Sequence, residues 1–226
     1  MQTIIRKNIL IYFLIIAACD SLAVVFNLVP LHFILKPLLV PTLIVAILLN
    51  SKRSFGSSLI LTGLFFSFMG DVFLLIDDRY PFLFIIGLIC FLLTHILYCW
   101  YFLQTKRTSV SLLKLHPYLT LVPLAYTVGL LTILMPTLGD LKIPVIIYAV
   151  VLGCMLLCSL YAYNNILPAA AILFTAGALF FVLSDSLLAI NKFYYSFKSA
   201  GFLIISTYCV AQFLIVKGFI KNNASS

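Results

Sequence analysis

The residues best suited to chemistry in this sequence are aspartates inside apolar surroundings. The 226 residues carry six acidic side chains, all Asp. Asp71 ends the stretch Ser67-Phe68-Met69-Gly70-Asp71, and Asp185 follows Ser184 in a later apolar run. Two neighbouring carboxyls in a low dielectric do not both ionise easily, so one is left to donate a proton and the other to accept one. The residue types therefore indicate general acid–base catalysis by a carboxyl pair, as in aspartic proteases and glycosidases.

The composition places these aspartates in a membrane. Hydrophobic residues make up 64% of the chain and charged residues 9%, with a mean hydropathy of +1.22. A soluble domain is about half apolar and a quarter charged. The composition excludes a cytosolic enzyme, a disordered chain and a nucleic-acid-binding module, and we expect no nucleic-acid partner. The net charge of +8 suits loops that lie against anionic lipid head groups.

The apolar runs predict an all-α bundle of eight transmembrane helices that forms a single domain over residues 1–226. Breaks between the runs carry turn or charge signals, such as Asn50 to Arg53 and Asn191-Lys192. The predicted helices are 8–28, 31–50, 57–76, 81–103, 115–135, 143–163, 168–190 and 199–217.

Lysine and arginine predict the orientation, because cytoplasmic loops are enriched in both. One side receives nine of them, the other receives four, and Lys36 lies inside a helix. We therefore expect an integral membrane protein with both termini in the cytoplasm, located in the inner membrane if the source is bacterial. The nine are Arg6, Lys7, Lys52, Arg53, Lys106, Arg107, Lys114, Lys217 and Lys221, and the four are Arg79, Lys142, Lys192 and Lys198.

The alternation of helix directions places the polar intramembrane residues in one leaflet. Asp71 and Asp185 each lie about five residues before the outer end of a predicted helix, ~8 Å deep at 1.5 Å per residue. Lys36 and Tyr148 occupy the matching level of their helices, and Tyr208 lies somewhat deeper. Because ionisable groups at this depth usually face the bundle interior, we predict that they meet.

The other predicted site residues share helix faces with this group. Small and polar residues surround both aspartates, among them Ser67 and Ser184, and His95 and Tyr98 follow Gly87 and Phe91 on one helix face. By the same count, His95 lies ~21 Å from the outer boundary, so we expect it to form the floor of the pocket rather than touch the carboxylates.

Several of these residues have a simpler interpretation. Asp20 can be a hydrogen-bonding group between packed helices, Lys36 can merely neutralise a carboxylate, and His95 can be an ordinary core histidine. His32 and His116 lie near helix ends and are expected at the interface. All six cysteines lie in apolar runs and are expected to be free. Arg6-Lys7 and the run to Cys19 mimic a lipoprotein signal, but a first transmembrane helix is the preferred interpretation.

With these residues in view, the sequence resembles the YhhN-like membrane family. The similarity runs in order along most of the chain, but the first helix shows no matching pattern, so the role of Asp20 stays open. The matching segments are Lys36-Pro37-Leu38; Ser67 to Leu74; Gly87 with Phe91, His95 and Tyr98; Pro144-Val145 with Tyr148; Gly177 to Phe180; Ser184 to Ala189 with Phe193; and Thr207-Tyr208 with Gln212.

The resemblance implies a lysoplasmalogenase that hydrolyses the vinyl ether bond of a lysophospholipid. The expected products are a fatty aldehyde and glycerophosphoethanolamine or glycerophosphocholine. Asp71 and Asp185 would be the catalytic residues. The substrate-binding or supporting residues would be Lys36, Ser67, His95, Tyr98, Tyr148, Ser184, Tyr208 and Gln212. We expect no cofactor and no metal, because no histidines have the spacing of a zinc site.

Two alternatives remain open at this stage. The first is a proton-coupled transporter of a small or lipidic solute that uses the same aspartates, for which the Lys36-Pro37 position is the one candidate helix break. The second is an intramembrane metal hydrolase that uses His95 with the aspartates.

Overall fold

The computed structural model describes residues 2–77, 80, 82–105 and 109–224. Its helices form the predicted all-α architecture, and eight helical spans in this part of the chain are long and apolar enough to cross a membrane. The helices are α1 (Gln2–Val25), α2 (Val29–Asn50), α3 (Phe55–Leu75), α4 (Phe82–Leu103), α5 (Leu112–Leu115), α6 (Leu121–Leu134), α7 (Lys142–Ala162), α8 (Pro168–Ala189) and α9 (Ala200–Asn223).

Local sequence signals explain where several helices begin and end. Asn27 takes a left-handed conformation, with φ of 54°, in the tight turn between α1 and α2, which asparagine tolerates better than most residues. Pro30 follows at the start of α2, where its missing N–H costs nothing. Ser54 and Ser57 form a reciprocal capping box at the start of α3.

Seven of the spans form a closed ring. Around it, α1 contacts α2, α2 contacts α3, α3 contacts α4, α4 contacts α7, α7 contacts α8, α8 contacts α9, and α9 returns to α1. The remaining span, α6, packs outside this ring against α7, and it is the least buried of the eight. The ring encloses an interior in which polar residues from distant parts of the sequence can meet.

Glycines let neighbouring helices approach closely. A Cβ atom on Gly63 of α3 would lie 2.7 Å from the ring of Tyr98 on α4, and one on Gly177 of α8 would lie 3.1 Å from the carbonyl oxygen of Ala211 on α9. Neither distance leaves room for a side chain without movement. These close helix pairs carry Asp71 on α3 and Asp185 on α8, so small residues help to hold both carboxyls in place.

Several predicted boundaries need correction: α1 spans Gln2–Val25 rather than 8–28, and α9 continues to Asn223 rather than ending at 217. The break at Asn191-Lys192 is wrong, because α8 continues as a π-helical turn over Ile190–Tyr194 that ends with the N–H of Tyr195 donating to the carbonyl of Ile190. The predicted helix 115–135 starts later, since a 3-10 turn at Pro117–Thr120 precedes α6. Asp78, Arg79, Pro81, Lys106 and Arg107, which supported the predicted loops and orientation, lie outside the described residues.

Candidate active site

A cavity of about 400 Å³ lies inside one end of the ring, where α1, α3 and α8 end and α2 and α9 begin. We call this end the cavity end. Asp71 and Asp185 both line the cavity, so the structure brings the two predicted catalytic residues to one space. The other polar residues that line it are Asn27, His32, Lys36, Asp77, Ser184, Asn191, Lys192 and Tyr208.

The Asp71 carboxyl is held by a network of neutral groups. The hydroxyl of Tyr208 donates to Asp71 Oδ2 over 2.6 Å and also pairs with Ser67 Oγ at 2.8 Å. Gln212 Nε2 donates to Ser67 Oγ at 2.6 Å, and its Oε1 accepts from the Tyr98 hydroxyl at 3.2 Å. All five residues are buried. Only Asp71 and Tyr208 of the five reach the cavity, so the others support the site from behind.

The Asp185 carboxyl has different partners. The hydroxyl of Tyr148 donates to Asp185 Oδ2 over 2.5 Å, and His95 Nε2 lies 3.1 Å from the same oxygen. The imidazole nitrogen is also 3.0 Å from the Tyr148 hydroxyl, so the three polar groups form a compact triangle. His95 is fully buried, and Asp185 alone of the three lines the cavity.

Aromatic rings pack between the two networks. The Phe181 ring contacts His95 and Tyr208 edge to face, with centroids 5.0 and 5.7 Å away, and the Phe91 ring packs on Tyr208 at 5.9 Å. Edge-to-face rings of this kind are a stable packing arrangement. These rings fix the orientation of the residues that hydrogen-bond the two carboxyls.

The prediction that His95 avoids the carboxylates is wrong. The π-helical turn carries the end of α8 to Tyr194, so Asp185 lies nine residues from that end rather than five, which adds ~6 Å of depth. The count from the predicted helix end was therefore four residues short for Asp185.

Lys36 lines the cavity from α2 without a tight ion pair. Among the described residues, no carboxylate oxygen lies within 4 Å of its ammonium group. Helix α2 runs without interruption from Val29 to Asn50 through Pro37 and Pro41. The candidate break at Lys36-Pro37 is therefore absent, and the transporter alternative loses the one helix break that could have favoured it.

A further ion pair lies at the edge of the cavity. Lys192 Nζ in the π-helical turn is 2.6 Å from Asp77 Oδ2 after α3, and it also lies over the Phe84 ring. This pair connects the ends of α3 and α8, the two helices that carry Asp71 and Asp185. Ser184 connects α8 to α9 by donating to the carbonyl of Ile204.

Sequence reasoning missed the pairing of Asp20 with His32. Asp20 Oδ1 is 2.8 Å from His32 Nδ1, and His32, which was expected near the interface only, also lines the cavity. The signal was present in the spacing. Asp20 and His32 lie within about two turns of helix on either side of Asn27, and two antiparallel helices joined by a tight turn bring such positions together.

Metal binding has little support in the arrangement of ligands. In residues 2–77, 80, 82–105 and 109–224, no three His, Cys, Asp or Glu side chains converge as a ligand set. The His95–Asp185 contact offers one histidine and one carboxylate, fewer than the three protein ligands usual for catalytic zinc.

The matching family model is described as the YhhN family and covers residues 31–219, most of the chain. The chain belongs to the YhhN family. The match includes every residue of the two carboxyl networks and Lys36, but it begins after α1 and Asp20. The resemblance seen in the sequence is thereby confirmed.

Two curated relatives are similar to this YhhN chain. Lysoplasmalogenase TMEM86A of Homo sapiens is 32% identical over 174 residues, which cover 72% of this chain and 65% of the human protein. Lysoplasmalogenase TMEM86A of Bos taurus is 31% identical over the same shares. The chain thus matches slightly less than two thirds of these relatives' length. No solved structure matches it.

Proposed function

We propose that this protein is an intramembrane hydrolase that cleaves the vinyl ether bond of lysoplasmalogens. The observation that carries the proposal is the shared cavity of Asp71 and Asp185, with Lys36 beside them, in a YhhN chain. The names of the human and bovine relatives support the same substrate class.

The first step needs an acid. One carboxyl of the pair protonates the β-carbon of the vinyl ether, and the electron pair of the C=C bond forms the new C–H bond. The positive charge that results is shared by the α-carbon and the ether oxygen as an oxocarbenium ion. The second carboxylate stabilises this cation electrostatically, which is effective where bulk water is excluded.

The later steps consume one water molecule. The carboxylate takes a proton from water as the water oxygen bonds the α-carbon, giving a hemiacetal. The hemiacetal hydroxyl then loses its proton, the bond from the α-carbon to the glyceryl oxygen breaks, and that oxygen is protonated. The products are a fatty aldehyde and glycerophosphoethanolamine or glycerophosphocholine. Protons pass only between substrate, water and the two carboxyls, so no cofactor is needed.

The surrounding residues orient the carboxyls. Tyr208 and Tyr148 each donate a short hydrogen bond to one Asp oxygen, which leaves the other oxygen of each carboxyl for the substrate or water. Lys36 supplies a positive charge in the same cavity, suited to the lipid phosphate or to keeping a carboxylate ionised. The location near one end of the ring fits a single-chain lipid whose head group stays in water.

The deciding experiment incubates purified protein with lysoplasmenylethanolamine and measures free aldehyde. We expect aldehyde release with equal release of glycerophosphoethanolamine. Two control lipids separate this activity from other lipases: the 1-O-alkyl analogue has no double bond to protonate, and 1-acyl-lysophosphatidylethanolamine has an ester. Release of fatty acid from the ester, with no aldehyde from the vinyl ether, would contradict the proposal.

We also propose that both termini are cytoplasmic, which places the cavity end on the extracytoplasmic side. The basis is the uneven distribution of Lys and Arg between the two sides. Reporter fusions after residue 226 and at Tyr80 should give opposite signals, with the C-terminal reporter active in the cytoplasm. An extracytoplasmic C-terminus would reverse the assignment without moving the aspartates apart.

A further inference from the structure

The Asp20–His32 pair lies outside both carboxyl networks: His32 lines the cavity, and Asp20 is buried behind it. Asp20 is fully buried, and only one of its carboxyl oxygens has a hydrogen-bond partner in the described part of the chain, namely His32 Nδ1. A buried acid with a single partner is costly to keep in a membrane protein. A role of the pair in ligand binding would account for this cost.

The pairing determines which nitrogen of the imidazole is available to a ligand. We assign the proton of a neutral His32 ring to Nδ1, because an ionised Asp20 carboxylate only accepts hydrogen bonds. Nε2 is then the ring nitrogen left for the cavity, and in a neutral ring it is an acceptor. The His32 side chain keeps 22% of its surface accessible, whereas Asp20 keeps none. Asp20 therefore positions His32 and does not meet the ligand itself.

The polar groups of the cavity can be compared with those of a lysoplasmalogen. The carboxyls of Asp71 and Asp185 suit the vinyl ether, and the ammonium of Lys36 suits the phosphate. The substrate has one more polar group, the free hydroxyl at the sn-2 carbon, next to the carbon that bears the vinyl ether oxygen. It is a hydrogen-bond donor, and His32 Nε2 is the acceptor that the carboxyl chemistry does not use.

We propose that His32 accepts a hydrogen bond from the sn-2 hydroxyl and thereby selects lysolipids, with Asp20 as its positioning residue. This inference rests on the proposed function for the identity of the ligand. A lipid acylated at sn-2 has no donor at this position, so its binding would leave the His32 acceptor unpaired. Sites built to bond a substrate hydroxyl discriminate strongly against analogues that lack it.

Binding of lipids that cannot be hydrolysed tests the proposal separately from catalysis. The probes are 1-O-hexadecyl-lysophosphatidylethanolamine and its 2-deoxy analogue, which differ by one hydroxyl and contain no vinyl ether. Dissociation constants are measured with protein in nanodiscs, and empty nanodiscs provide the partition blank. We expect the wild type to bind the hydroxyl-bearing probe about ten-fold more tightly, the factor for one hydrogen bond.

Two variants separate ligand contact from structural support. In His32→Asn, the shorter amide reaches the Nδ1 position and can still bond Asp20, but nothing replaces Nε2; we expect the ten-fold preference to fall to about one. In His32→Gln, the longer amide reaches the Nε2 position, and we expect part of the preference to return. His116→Asn, a matched change at an exposed histidine outside the cavity, should keep the preference.

The outcomes distinguish this inference from the proposed function. If the preference for the hydroxyl-bearing probe persists in His32→Asn, or if the wild type shows no such preference, His32 does not bind the hydroxyl. This holds even if the enzyme releases aldehyde. If the preference depends on His32 but no vinyl ether is cleaved, the subsite stands and the proposed hydrolysis fails. A wild type that binds neither probe would overturn this inference, whereas the proposed hydrolysis is decided by aldehyde release alone.

Discussion

The two carboxyls of the cavity have the same kind of direct partner, a tyrosine, but the residues behind the two tyrosines differ. Each accepts a short hydrogen bond from a tyrosine, Tyr208 for Asp71 and Tyr148 for Asp185. Behind Tyr208 lie a serine and a glutamine, which do not exchange protons at ordinary pH. Behind Tyr148 lies the His95 imidazole, which also touches Asp185 directly.

This difference suggests separate tasks within one reaction. A carboxyl surrounded by fixed neutral dipoles is oriented but has no group other than the substrate and water to exchange protons with. A carboxyl beside an imidazole can share a proton with it. We therefore expect Asp71 to protonate the vinyl ether and Asp185, with His95, to take the proton from water.

The largest expected effect comes from removing either carboxylate. Asp71→Asn and Asp185→Asn should each lower turnover at least ~10²-fold, the lower range for the loss of acid–base catalysis. The double variant should be little worse than either single one, because residues that act in one step are not additive. Steady-state aldehyde release measures all three, and elution from size-exclusion chromatography in detergent checks folding.

Two outcomes would contradict the joint action of Asp71 and Asp185. If the effects of Asp71→Asn and Asp185→Asn multiply in the double variant, the two carboxyls do not act as a unit. If Asp185→Asn keeps near-normal turnover in folded protein while Asp20→Asn loses it, the catalytic pair is misassigned. We expect Asp20→Asn to cost much less than either, since Asp20 acts only through His32.

The next effect separates the two networks behind the carboxyls. His95→Gln retains an amide near the Nε2 position but cannot exchange protons, so we expect turnover to fall by about 10- to 100-fold with a small change in KM. Gln212→Met removes an amide that bonds Ser67 and Tyr98. That change should instead destabilise the fold by about 1–3 kcal/mol through unpaired buried groups.

Turnover and stability must both be measured for His95→Gln and for Gln212→Met. Turnover is measured at saturating substrate, and stability is followed by thermal unfolding in the same detergent. Equal losses of turnover in His95→Gln and Gln212→Met, at equal stability, would remove the functional difference between the networks. The assignment of Asp185 as the base would then lose its support.

Lys36→Met is expected to have a smaller effect that acts on binding. If Lys36 meets the phosphate, KM should rise about ten-fold or more, in the range for losing a hydrogen bond to a charged group, while turnover changes little. If it instead keeps a carboxylate ionised, turnover should fall at constant KM. Kinetics with a neutral 1-O-alkenylglycerol serve as the control, because without phosphate the variant and the wild type should differ only in the second case.

The sequence was most informative where helix periodicity and direction alone decide position. Alternating helices bring Asp71 and Asp185 to the same end, and this needs no knowledge of tilt or packing. It was least informative about depth, because the π-helical turn at Ile190–Tyr194 is not visible in the residue pattern and puts the end of the helix four residues further from Asp185 than predicted. The closure of seven spans into a ring with α6 outside also depends on long-range packing that one sequence does not reveal.

The smallest expected effect is none at all, on removal of metals. We expect aldehyde release to be unchanged after dialysis against EDTA, because His95 and Asp185 offer two ligands where a catalytic metal needs about three. Lost activity that returns with one divalent metal would contradict this. His95 would then be a metal ligand rather than a proton partner of Asp185. The contrast between the two carboxyl networks would remain, since Asp71 has no histidine in its network, but its meaning would change: Asp185 would hold the metal that activates water, and Asp71 would keep the role of acid.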